Sequence, residues 1–351
     1  MTSRLPLFLS FLLLALPAQA DDKLPGIAFS HNDWELYCDN TGTCRAAGYQ
    51  ADDTANAVSV LLTRAAGPDT PVDVQLMLGE MDEDNAPPAK GVLSMRIDGR
   101  AIGTVPAEAL TLTPAQQAAL LTALTGSGKI EWVHHGKHWQ LSDKGATAVL
   151  LKMDDYQGRV GTPSALVRKG KAAQDKVRTP TTPPQLVAVP LVKPKPHDAT
   201  NYADRRPRAL ALRKALLKTV AGEASDCNLP TDEEGALRVR RLSATHLLAA
   251  LPCWRGAYNS GDAYWVIDET PSFNPVLVTT SGSSDDGGSI ESFHKGRGIG
   301  DCVWSEEWLW NGKAFVHARA TSGGMCKGVA LGGAWDLPRL VTQVRAPPRG
   351  K

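Results

Sequence analysis

The chain has 351 residues, 42% of them hydrophobic, and 38 Lys and Arg against 37 Asp and Glu leave a formal charge of +1. That near-neutral balance gives the chain as a whole none of the strongly basic character on which nucleic-acid binding draws. About 330 residues beyond a short leader suit two domains better than one.

Met1 to Ala20 reads as a secretory signal peptide: Arg4 gives the charged start, Leu5 to Leu16 the apolar core, and Ala18-Gln-Ala20 the small-residue cleavage site. The apolar run is too short for a membrane span of about 20 residues, and no later segment approaches that length. No cysteine follows the cleavage site, so a bacterial lipid anchor is not indicated. The mature chain is expected to begin at Asp21 and to reside in the periplasm or be secreted. Charge is unevenly spread: thirteen Asp and Glu against four Lys and Arg over 21–90, then thirteen Lys and Arg against three Asp over 168–218. Solvated surface is the ordinary reading of both runs. The sharper one is a basic tether drawn to anionic envelope polymers or to the chain's own acidic half.

Residues 21–170 read as a small α+β domain. Trp34-Glu-Leu-Tyr-Cys38 alternates, and Cys44 to Tyr49 answers it across a five-residue loop, so the two cysteines fall opposite each other. Strands follow at 58–64, 72–78 and 91–97. Thr113-Pro-Ala-Gln116 has the form of a capping box with Pro at the first helical position. Strands flank His135-Gly136, and Ser142 is placed to cap a second helix whose Ala146, Val149, Leu150 and Met153 share a side.

Residues 171–206 form a basic linker rich in proline, extended and semi-rigid, with Leu186 to Val192 apolar enough to lie along a sheet edge. Residues 207–347 then read as a β-rich domain led by a helix from Pro207. Its short strands suggest a sandwich or partly closed barrel. Asn311-Gly312 marks a hairpin whose two-residue turn would set Trp310 against Lys313 and Trp308 against Phe315. The same register puts Cys302 opposite Thr321.

Several spacings recur together: Trp34-x3-Cys38-x5-Cys44-Arg45, Leu141-Ser142-x2-Gly145-Ala146, Asp154-x2-Gln157-Gly158-Arg159, Pro252-Cys253-x2-Gly256-Ala257-Tyr258-Asn259, Gly298-x-Gly300-Asp301-Cys302, and Trp335. In these the chain resembles domain of unknown function 1176, an uncharacterised family of bacterial exported proteins. The resemblance covers nearly the whole mature chain and implies periplasmic residence without assigning catalytic residues. The Trp34-x3-Cys38 opening and the segment after Leu141 also resemble invasion-associated locus B proteins.

The six cysteines allow 15 pairings, and an exported chain favours disulfides. Sequential bridges are expected: Cys38–Cys44 from the hairpin register, Cys227–Cys253 and Cys302–Cys326 because each then stays within one domain. No C-x2-C pair supports a metal site.

For chemistry, His134 and His138 would face one way on a single strand and hold a metal, whereas a turn at His135-Gly136 makes them a solvated tip. The acidic run Glu80 to Asp84 lacks the glycine and distal Glu of a calcium loop. Gly296-x-Gly298-x-Gly300 precedes a hairpin rather than a helix, which argues against a phosphate loop. His294, Asp301, Glu306 and His317 are candidates for acid–base hydrolysis, Glu306 and His317 sharing a face across the hairpin. Trp254, Tyr258, Trp304, Trp308 and Trp310 are candidates for a recognition face; otherwise they are core. No cofactor is implied. The expectation is a non-enzymatic envelope binding or adaptor protein whose partner is an envelope protein or an anionic glycan. The alternatives are a periplasmic hydrolase and a secreted virulence-associated factor.

Overall fold

The structure is a computed structural model describing residues 24–79, 81, 86–203, 206–220, 227 and 237–345. The expected signal peptide and its cleavage site lie outside the described residues, as does all of the acidic run at 80–84 except Met81. No helix among the described residues is long and apolar enough to cross a membrane.

The first sheet is a five-stranded antiparallel meander of β1 (Ile27–His31), β2 (Trp34–Cys38), β3 (Cys44–Tyr49), β4 (Val58–Arg64) and β5 (Asp73–Leu78). Alternation sends Trp34, Leu36, Val60, Leu62 and Leu76 into one core. Ala47, Tyr49 and Leu61 form the opposite face, where Val329, Ala334 and Leu337 cover them. Both faces of β4 are therefore buried, which is why Val58-Ser-Val-Leu-Leu62 reads as an apolar run rather than a strict alternation. Trp34 lies directly over Gly48, where a Cβ would come within 2.2 Å of the indole ring. The Trp34 Nε1–H donates to the Ser142 carbonyl at 2.8 Å.

A second sheet, ordered β7-β6-β8-β9, is built from β6 (Val92–Ile97), β7 (Arg100–Pro106), β8 (Ile130–His134) and β9 (Lys137–Leu141). It closes the core with α1 (Pro114–Leu124) and α2 (Ala146–Tyr156). The α1 capping box forms as expected, Thr113 and Gln116 satisfying each other's backbone N–H. Ser142 does not cap α2. The cap position is Gly145 at φ 100°, and the Ser142 hydroxyl instead donates to Asp33 Oδ2 at 2.6 Å.

The motif Asp154-x2-Gln157-Gly158-Arg159 is a buried polar knot. Asp154 accepts from the Leu166 and Val167 N–H groups, Gln157 donates to the Gly42 and Arg64 carbonyls, and Arg159 donates to the Pro68 and Gly67 carbonyls. All three side chains are inaccessible to solvent. Their role is to tie two hairpin turns to the end of α2, because buried backbone carbonyls need donors.

The proline-rich stretch lies along the molecule instead of hanging free. Its first part bonds to Gly67, Gln157 and Thr41, and Val189 donates to the Trp310 carbonyl. β10 (Gln185–Val187) pairs in parallel with β20 (Gln343–Arg345). After the short α3 (Asp198–Asn201), α4 (Pro207–Thr219) packs Leu212 and Leu216 against Leu247, Ala249, Leu251 and Trp265.

Those residues belong to an antiparallel sheet of β11 (Arg238–Arg241), β12 (His246–Arg255), β13 (Ser260–Asp268) and β14 (Val276–Gly282). It faces a second antiparallel sheet of β15 (Ser284–Asp285), β16 (Ser289–Lys295), β17 (Val303–Trp310), β18 (Phe315–Ser322) and β19 (Leu337–Leu340). Leu248, Ala250, Tyr264 and Val266 meet Ile290, Trp308, Trp310 and Phe315 between them. The expectation of a β-rich chain with separate helices holds. The sheets stay separate, however, and none closes into a barrel.

The β17–β18 register departs from expectation for a definable reason. Asn311 N–H donates to the Ala314 carbonyl, and Asn311 Oδ1 accepts from the Lys313 and Ala314 N–H groups, making a four-residue Asx loop. Trp310 therefore pairs with Phe315 and Trp308 with His317. A shift of two leaves each side chain on its expected face. A bulge beyond Glu307 then brings Trp304 opposite Ser322, so Cys302 lies near Gly324 and within reach of Cys326. All three disulfides pair sequentially.

Candidate functional site

The fold scatters some sequence candidates and gathers others. His135 and Gly136 form the turn at φ 45° and 79°, so His134 pairs with Lys137 and Val133 with His138. The two histidines thus sit on opposite faces of a hairpin and cannot share a metal ion. His134 bonds the Val92 carbonyl and His138 bonds Glu131 Oε2. Asp301 is buried, ion-paired to Arg297 and accepting the Gly328 N–H at 2.7 Å. His294 Nε2 donates to the Ser281 carbonyl at 2.8 Å while its ring packs on Trp254. Glu306 pairs with Ala320, on the face it shares with Trp308 and His317.

The aromatic candidates divide. Trp310, at 1% exposure, is core. Trp254 is half-buried, with its indole N–H on the Thr280 carbonyl. Tyr258 and Trp304 are 49% and 48% exposed, the Tyr258 hydroxyl donating to the Gly296 carbonyl. Trp308 is buried, 8% exposed, and stacks flat on His317, ring centres 4.7 Å apart and planes within 16°.

That stack lies in a cleft of about 630 Å³ between the two facing sheets of the C-terminal half. Trp308, Phe315, Val266 and Val278 make its apolar wall; His246, His317 and Lys313 supply basic groups, and Asp268 the acidic one. Asp268 is already engaged, accepting from Asn274 Nδ2 at 2.8 Å with His246 Nε2 3.7 Å away. The Lys313 ammonium has no ion-pair partner among the described residues. An apolar wall with a few convergent polar groups at its rim is the usual form of a ligand site.

Residues 28–342 match the family described as Protein of unknown function (DUF1176). The chain belongs to this family. It is also similar to the uncharacterized protein YpfG of Escherichia coli strain K12, 23% identical over 353 residues, covering 92% of this chain and 95% of the relative. No solved structure gives a significant match.

What sequence reasoning misses in this DUF1176 chain is a junction between its halves. The segment between β18 and β19, held by Cys302–Cys326, crosses to the first sheet. There Met325 N–H donates to Glu35 Oε1 at 2.8 Å, and the Tyr49 hydroxyl donates to the same oxygen at 2.5 Å. Lys327 Nζ bridges Asp33 at 2.8 Å and Asp52 at 2.5 Å, and Trp335 Nε1 donates to Ser59 Oγ. Burial pushes the Glu35 carboxyl above its usual range, with the Tyr49 and Met325 donors opposing it. The partners lie some 290 residues apart in sequence, so only an acidic residue inside an otherwise apolar strand hinted at them.

Among the described residues, two clusters have the composition of metal sites. Asp301 lies beside Cys302 and Cys326, but those sulfurs are bonded to each other and offer no thiolate. His197, Asp198 and Glu269 also converge. Arg241 is bidentate on Asp198 and reaches Glu269, and Lys195 holds Glu269 at 2.6 Å. The Lys195 hydrogen bond, followed by that of Arg241, lowers the Glu269 carboxyl to about 2. The cations already neutralise both carboxylates, so the cluster is a latch between the proline-rich segment and the sheet.

Proposed function

We propose that this chain is an exported, non-enzymatic binding protein of the cell envelope, working in the periplasm once residues 1–20 are removed, and that it holds an acidic saccharide in the inter-sheet cleft. The two-domain reading, residues 21–170 and 207–347 joined by the 171–206 segment, goes with it. The observation that carries the proposal is the lining of the cleft. Lys313, His246 and His317 stand over a wall of Trp308 and Phe315, which suits a pyranose with one apolar face and one carboxylate. Three disulfides fit an oxidising compartment.

Calorimetric titration of the mature protein with a hexuronate oligosaccharide and its neutral counterpart tests this. The acidic sugar binds, the neutral one binds more weakly, and Lys313→Ala removes about tenfold in affinity, the loss of one charge-assisted contact. Equal affinity for the two sugars, or no binding, overturns the proposal.

A second reading, hydrolysis, is favoured by the shared face of Glu306 and His317. Mass spectrometry of the same oligosaccharide after incubation separates the two. Cleavage that disappears in both Glu306→Gln and His317→Ala supports the enzyme; intact sugar supports binding.

A further inference from the structure

A second cavity lies at the junction. It measures about 390 Å³ and is lined by Phe29, Glu35 and Tyr37 of the first sheet and by Trp304, Ser322 and Met325 from the C-terminal half. Trp304 is the one member of the Trp304/Trp308/Trp310 series that stays half-exposed, and this cavity is where it stands. Glu35, 5% exposed, is among the residues lining the cavity, and its Oε1 accepts from the Tyr49 hydroxyl and the Met325 N–H. The Tyr37 phenol lies beside the Ser322 hydroxyl and the Trp304 indole.

The chemistry of this lining is one-sided. Aromatic faces carry the negative part of the ring quadrupole, and the one carboxylate among the lining residues is Glu35. No lysine, arginine or histidine is among the described residues that line it. Arg339 acts on Tyr37 from outside the cavity and is itself turned to the Leu24 carbonyl.

We infer that the junction cavity is a binding site for an organic ammonium ion, the cation lying against Trp304, Tyr37 and Phe29 with Glu35 as its counter-charge. A metal ion would find one carboxylate where it needs several oxygen ligands. A neutral sugar would use Trp304 but leave Glu35 without a charge partner. An alkylammonium group satisfies both features, and a trimethylammonium head is of a size the cavity accommodates. Occupancy also bears on the two halves together, since Glu35 and Met325 are junction contacts and cavity lining at once.

The experiment titrates the intact mature protein, by tryptophan fluorescence and calorimetry, with choline and with 3,3-dimethylbutan-1-ol, its uncharged carbon isostere. Choline binds saturably and the isostere at least about tenfold more weakly, since only the charge differs. Trp304→Ala, a surface substitution, and Glu35→Gln, which keeps an acceptor for Tyr49, each weaken choline by about tenfold or more. Equal binding of choline and its isostere overturns the inference without depending on any variant. So does the absence of saturable choline binding, or choline affinity unchanged in Trp304→Ala.

Discussion

The junction and the inter-sheet cleft use similar residues to opposite ends. At the junction, groups from distant parts of the chain are brought together: Lys327 and Asp33 commit their charges to each other, and Glu35 accepts from the Tyr49 hydroxyl and the Met325 N–H. In the cleft the wall is apolar, Asp268 and His246 are already engaged, and the Lys313 ammonium at the rim has no ion-pair partner among the described residues. The difference teaches where to look for function in a β-rich chain. Polar groups that satisfy each other across separate sheets hold the molecule together, because burying them unpaired costs several kcal/mol. A charged group at the rim of an apolar wall that has no ion-pair partner among the described residues, as Lys313 is, is left for something else.

The comparison breaks most visibly at the disulfide. Replacing Cys302 and Cys326 together by serine frees the segment that carries Met325 and Lys327, and is expected to cost about 3 kcal/mol of stability, measured as a lower urea midpoint. An unchanged midpoint would mean that the junction stands without its covalent tie. Next, Glu35→Ala leaves the Tyr49 hydroxyl and the Met325 N–H without their buried acceptor, a loss of about 2 kcal/mol in the same assay. A loss within experimental scatter would show that water replaces the carboxylate.

Acid sharpens the contrast between the junction and the latch. Glu35 has its carboxyl raised by burial, so the folded state holds that proton more tightly than the unfolded chain. Its contribution is therefore greatest below the ordinary value of 4.5 and falls away as pH rises through the higher folded value. Glu269 is lowered to about 2, chiefly by Lys195 and then Arg241, so its contribution is present above 4.5 and is lost as pH falls from there towards about 2. Melting temperatures across pH are expected to lose the gain that Glu35 gives on acidification in Glu35→Gln and their steep acid limb in Glu269→Gln. Identical profiles for both variants and the parent would remove the distinction. The smallest effect belongs to the cleft: Lys313→Ala changes stability by no more than about 0.5 kcal/mol, as a rim substitution should. A larger change would make Lys313 structural.

Much of the local architecture was legible. The Cys38–Cys44 hairpin, the Thr113–Gln116 capping box and the helix from Pro207 each rest on residues within a few positions of one another, and local spacing decides them. The β17–β18 faces were readable because a two-residue register shift preserves parity, while the Asx loop at Asn311 and the bulge after Glu307 were not. His134 and His138 show the opposite failure: one turn between them reverses which way they point. The edge strands Ile27–His31 and Arg100–Pro106 escaped because their exposed positions break the apolar pattern. The cleft was half visible, since Trp308, His317 and Lys313 belong to one hairpin, but His246 and Asn274 join them only through sheet-on-sheet packing. The junction was invisible, being made of contacts whose partners nothing local relates.

Hydrogen–deuterium exchange on the mature protein, with and without a hexuronate oligosaccharide, tests the central claim most directly. Protection confined to the backbone around 274–278 and 313–317 is the predicted result, because those segments border the cleft. Protection centred instead on 28–37 and 322–326, or none at saturating sugar, would contradict the assignment of the acidic ligand to the inter-sheet cleft.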